Sequence, residues 1–144
     1  MTVTSPAPLP LRSLLAFDFG TRRIGVASGN TLTGHAEPLR TIAAEGDASF
    51  EAIGALIQQW RPDALVVGVP FHPDGAAHDN TERARRFARR LRGRFGLAVH
   101  EVDERYTTTE AASLGARDLD ATSAAIILEQ YLAGAIPADT KARK

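Results

Sequence analysis

The 144-residue sequence contains no cysteine, so disulfides and thiolate metal sites are excluded. That absence agrees with a reducing, cytoplasmic setting. No apolar run approaches the roughly 20 residues that a membrane helix needs, so no membrane association is expected. Met1 to Pro10 has neither a basic start nor a long apolar segment and does not read as a secretory signal. Its prolines, Pro6, Pro8 and Pro10, predict a loose tail over residues 1–12. Net charge is also missing, with 17 basic and 17 acidic residues, which argues against a surface uniformly coated in positive charge. What remains is ordinary for a globular chain, at 44% apolar and 24% charged residues. The length suits one domain, expected over 13–135, with a polar C-terminal tail over 136–144.

Hydrophobic patterning divides that domain. Ser13 to Phe19 reads as a strand, and the turn at Gly20-Thr21 leads to a second strand, Ile24 to Ser28, forming a hairpin. Pro38 to Ile42 is a candidate third strand. Phe50, Ile53 and Ile57 fall at helical spacing within Asp47 to Trp60. The near-continuous apolar run Ala64 to Val69 predicts a strand covered on both faces. A helix follows from about Asn80 to Phe95, with Asp79 and Glu82 spaced as a capping box. Leu97 to Val102 is another strand. Thr107 and Glu110 form a second capping box opening a short helix. A last helix runs from about Ala121 to Ala133, striped by Ala124, Ile127, Leu128, Tyr131 and Leu132. A hairpin followed by alternating helices and strands predicts an α/β fold, a mixed sheet with helices on both faces.

Several carboxylates sit where a plain fold would not place them. Asp18 interrupts an apolar strand and shares a face with Leu14 and Ala16. A buried carboxylate requires a cation or hydrogen-bond donors. The plainer reading is an acid turning into the loop at Gly20. Asp103 and Glu104 end a strand beside Arg105, and neighbours on a strand face opposite ways, so one of the two points at any given site. A surface ion pair with Arg105 is the plainer alternative. Asp120 lies one turn before Ala124 of the last helix, where it reads either as a member of the buried stripe or as the N-cap. Together, acids at two strand ends and one helix start can converge on one sheet edge. Such hard oxygen donors suit Mg²⁺ or Mn²⁺. Two such ions roughly 4 Å apart can activate water and stabilise the leaving oxygen of a phosphodiester.

Four segments carry a resemblance. LLAFDFGTRRIGVASG (Leu14 to Gly29) resembles the opening hairpin of the YqgF/RuvX family. ALVVGVPFHPDG (Ala64 to Gly75), VDERYTT (Val102 to Thr108) and LDATSAAIILEQYL (Leu119 to Leu132) are similar to its later motifs, in family order and with near-family spacing. The resemblance covers about Leu14 to Leu132. It implies an RNase H-like fold and a nuclease that matures the 5′ end of 16S rRNA or, alternatively, resolves Holliday junctions. It also implies an acidic triad holding Mg²⁺ or Mn²⁺. By motif match, Asp18 takes the first position and Asp120 the last, with Glu104 in the middle for its longer reach and Asp103 as competitor. The segment between Ala111 and Asp120 is shorter here than in many relatives.

Arginine supplies the expected grip on nucleic acid. Arg83, Arg85, Arg86, Arg89, Arg90, Arg92 and Arg94 crowd one helix that holds a single acid, Glu82. Arg85 and Arg89 share a face four residues apart and are the candidate phosphate contacts on it, although a solvated charged face is the plainer reading. Arg22, Arg23 and Arg105, close in sequence to the acids, either hold a phosphate or pair with those acids. The expected partner is precursor or structured RNA, or branched DNA, and a homodimer would suit a symmetric junction. Two rival functions use the same residues. Asp18-Phe19-Gly20-Thr21 also resembles the phosphate loop of actin-like ATPases, but these need a second domain and a second loop. A non-catalytic nucleic-acid-binding module would use the arginines alone.

Overall fold

The structure, a computed structural model, describes residues 12–20, 22–44, 46–70, 76, 80–103 and 119–142, with the side chains of the last segment described over 120–133. The described residues form five strands, β1 (Ser13–Phe19), β2 (Arg23–Asn30), β3 (Ala36–Ala43), β4 (Ala64–Val69) and β5 (Ala98–Asp103). Three helices accompany them, α1 (Gly46–Trp60), α2 (Thr81–Phe95) and α3 (Leu119–Ala142). The expected short helix opened by Thr107 and Glu110 lies outside the described residues.

The strands make one sheet in the order β3-β2-β1-β4-β5. β1, β2 and β3 are antiparallel, whereas β1, β4 and β5 run parallel. This is the mixed sheet that the order of elements predicts. β3 is an edge strand, and Pro38 falls where its register with β2 shifts, at the Val26/Ala27 step. An edge bulge tolerates a residue that lacks an N–H donor.

Alternation along β1 builds two cores. Leu15 and Phe17 join Phe50, Ile53, Phe87 and Leu91 beneath α1 and α2. Leu14 and Ala16 join Ala124, Ile127 and Leu128 of α3 on the other face. Each fully buried Leu, Ile or Phe side chain contributes about 1.5–3 kcal/mol. β1 is therefore clamped from both sides, which makes its C-terminal end a rigid platform. Helix α2 begins after Asn80, its N-cap, and Glu82 accepts a hydrogen bond from Arg89 (2.7 Å) further along the helix; Asp79, the expected capping-box partner of Glu82, lies outside the described residues. The helix ends at Gly96, in the left-handed conformation (φ 67°), whose N–H donates to the Arg92 carbonyl.

Candidate active site

Asp18 is the next residue after Leu14 and Ala16 on the α3 face of β1, and it is half-buried there. Its register partners are Gly25 on β2 and Gly68 on β4. Partners across strands share a face. The Asp18 carboxylate thus occupies a lane with no side chain beside it on either neighbouring strand. That lane ends at the carboxyl end of β1, where open α/β sheets commonly bind ligands.

Gly25 also explains how α3 reaches that lane. A Cβ at this position would lie 1.9 Å from the Asp120 carbonyl oxygen and 2.8 Å from the Ala121 nitrogen. The first turn of α3 therefore rests directly on the β2 backbone, beside the partner of Asp18. Helix α3 starts at Leu119, which puts Asp120 inside its first turn and not at the N-cap. A carboxylate in a first turn is favoured by the partial positive charge of the helix N-terminus. Asp120 Oδ2 accepts a hydrogen bond from Arg23 Nε at 2.8 Å. Gly25 was not singled out from the sequence. The available signal was a glycine within a strand, which often marks a close backbone approach.

The two middle candidates stand differently. Asp103 is the last residue of β5, two beyond Glu101 and four beyond Val99 on the same face. Val99 belongs to the core under α1 and α2, and Glu101 pairs with Arg85 and Arg92 of α2. Val102 and His100 face α3, with His100 stacked 5.2 Å from Tyr131. Asp103 thus lies on the face opposite Asp18. Glu104 and Arg105 lie outside the described residues. Among the described residues no group of three His, Cys, Asp or Glu side chains stands ready to hold a metal. Asp18 and Asp120 are the two sequence candidates brought to one face.

The arginines separate by partner. Arg22 is exposed before β2, and its carbonyl accepts from Ala44 N at 3.0 Å. Arg85 lies 3.5 Å from Glu101, and Arg89 lies 2.7 Å from Glu82. The Arg89 hydrogen bond and charge hold Glu82 below the usual carboxylate range. Both arginines picked from the sequence thus already carry an acid.

A family profile described as "RuvX: Holliday junction resolvase" matches residues 12–134. The chain belongs to the RuvX family. It is 65% identical over 122 residues to a Polaromonas sp. (strain JS666) protein named "Putative pre-16S rRNA nuclease", covering 85% of this chain and 88% of that relative. An Albidiferax ferrireducens protein of the same name is 66% identical, with 85% and 78% covered. These relatives and the family make this RuvX chain a phosphodiester-hydrolysing enzyme. Among solved structures, Thermus thermophilus RuvC bound to a Holliday junction is similar, with a TM-score of 0.55 at 14% identity, covering 86% of this chain and 95% of RuvC. A second Thermus thermophilus RuvC structure gives 0.54 at 12% identity, with 87% and 96% covered. The fold of the RuvX chain is accordingly RNase H-like. No helix among the described residues is long and apolar enough to cross a membrane.

Proposed function

We propose that the chain is a cytoplasmic, divalent-metal-dependent nuclease that cleaves precursor 16S rRNA, with Asp18, Glu104 and Asp120 as its catalytic carboxylates. The convergence of Asp18 and Asp120 carries this reading. They are far apart in sequence, yet the Asp120 backbone rests on Gly25, the register partner of Asp18. Relatives at 65–66% identity, named for pre-16S rRNA, supply the substrate.

The donor set fits Mg²⁺ or Mn²⁺. Both carboxylates offer the hard oxygens that these ions take. Arg23 engages Oδ2 of Asp120, and no described residue bonds its Oδ1. Asp18, Asp120 and Glu104 would hold the metal, which when bound activates water and offsets charge on the phosphodiester. Arg23 fixes the orientation of Asp120 through Nε, leaving its terminal nitrogens to receive a phosphate. Arg22 and Arg105 would add to that grip. Glu104 is preferred to Asp103 because Asp103 stands on the α2 face, away from Asp18.

The family description favours a second substrate, the four-way DNA junction. Cutting it symmetrically would call for a homodimer. The deciding experiment offers precursor 16S rRNA, single-stranded RNA and a four-way DNA junction to the purified chain with Mg²⁺ or Mn²⁺. Metal-dependent cleavage of the precursor in preference to the others is expected. Preference for the junction would transfer the assignment to DNA, and failure to cut anything would remove the nuclease reading.

A further inference from the structure

On the opposite face of the sheet from Asp18, a cleft of about 270 Å³ opens between α2 and the start of α1. Arg83, Arg86 and Arg90 line it, at spacings of three and four that put them on one helix face. Phe19, Phe50 and Phe87 also line it. Phe87 is 4.9 Å from Phe19 and 5.9 Å from Phe50, centroid to centroid.

The α2 arginines thus fall into two sets. Arg85 and Arg92 are matched to Glu101, and Arg89 to Glu82. The cleft set has no acid among the described residues. Arg83 donates to the neutral Asn80 Oδ1 at 3.2 Å. The Arg90 guanidinium lies 4.7 Å over the Phe50 ring, a contact that fixes the arginine without neutralising it. No carboxylate among the described residues lines the cleft, and the positive end of α1 adjoins it at Gly46 and Ser49. In a chain of zero net charge this is a concentrated anion site with an apolar floor.

Its place relative to the carboxylates identifies the anion. Phe19 directly follows Asp18, and neighbours on a strand face opposite ways. Asp18 and the cleft therefore lie on the two sides of the end of β1. We infer that the cleft binds a backbone phosphate of the substrate strand next to the scissile bond, as that strand passes over the end of β1. The inference rests on the nuclease reading above for the position of the scissile bond. The cleft is too small for a duplex, so the segment it takes is single-stranded.

The test measures binding of a short fluorescent single-stranded RNA across a salt series, in an Asp18→Asn background that keeps the RNA intact. Arg83→Ala with Arg86→Ala removes two exposed side chains, and alanine suits the helix. Affinity should fall about tenfold or more, and the slope of log affinity against log salt should become shallower by about one to two units. The charge-matched pair Arg85→Ala with Arg89→Ala should lose markedly less. Equal losses from the two pairs would overturn the proposal, because they would reflect net charge and not a site. Adenosine monophosphate binding as tightly as the RNA, with the same sensitivity to Arg83 and Arg86, would overturn it in favour of a free-nucleotide site. Cleavage by the unaltered chain is scored separately, so loss of the nuclease reading and loss of the cleft assignment give different results.

Discussion

Arg23 Nε lies 2.8 Å from Asp120 Oδ2, tying the first residue of β2 to the first turn of α3. The pair is largely exposed on the arginine side, so its contribution to stability is small, about 0–1 kcal/mol. Its value is in geometry, because it selects one orientation of the Asp120 carboxylate. Arg23→Ala should therefore slow cleavage by about tenfold or more, while the melting temperature stays close to that of the parent. A melt combined with single-turnover cleavage separates the two effects. An unchanged rate would show that Asp120 needs no such positioning.

Gly25 is the contact on which the site is assembled. Any Cβ there meets main-chain atoms of Asp120 and Ala121, which cannot rotate away as a side chain would. Gly25→Ala should force α3 off β2 and cost about 3 kcal/mol, at the upper end for overpacking. Activity should fall further than stability explains, since Asp120 moves with the helix. Urea unfolding and cleavage under conditions where the variant is folded would measure both. A variant as stable and active as the parent would show that α3 is not seated as described.

Much of this arrangement was legible in the sequence. The run Ala64 to Val69 is strand β4 to the residue, because a strand covered on both faces has no polar residue to blur its ends. The alternation in β1 correctly placed Asp18 on the face of Leu14 and Ala16. The helical stripe of Ala124, Ile127 and Leu128 likewise identified the side of α3 that is buried. Long-range partners were not legible. Nothing local announces that Glu101 matches Arg85 and Arg92, so the α2 arginines read as one set where the structure shows two. Asp120 read as an N-cap because helix starts are set by tertiary contact as much as by residue preference, and here the contact with Gly25 brings the first turn back to Leu119.

Asp18→Asn should abolish metal-dependent cleavage and leave the fold intact. The amide preserves shape but removes the charge that would hold a divalent ion. Without metal, neighbouring carboxylates repel each other, so the variant should melt at the same temperature as the parent or slightly above it. Cleavage at near the parent rate in Mg²⁺ or Mn²⁺ would disprove the proposed centre. A large drop in melting temperature would instead mark Asp18 as structural.

The proposed middle carboxylate, Glu104, is preferred to Asp103 on strand parity. Val99, Glu101 and Asp103 share one face of β5, and the first two are committed to α2, through the core and through Arg85 and Arg92. Val102 packs on the α3 side with Leu14 and Ala16. Asp18 and Asp120 belong to that second side. A strand's two-residue period would give the position after Asp103, Glu104, the parity of Val102, although Glu104 itself lies outside the described residues. Glu104→Gln should therefore reduce cleavage by about a hundredfold or more, whereas Asp103→Asn should reduce it by less than about threefold. Both replacements keep side-chain size, and Asp103 is exposed, so neither should unfold the chain. Metal titration of the residual activity adds a second readout, because loss of a ligand raises the concentration of Mn²⁺ needed for half-maximal rate. That shift is expected for Glu104→Gln alone. The reverse ranking in both rate and metal requirement would assign the middle position to Asp103 and would mean that the chain turns over at the end of β5.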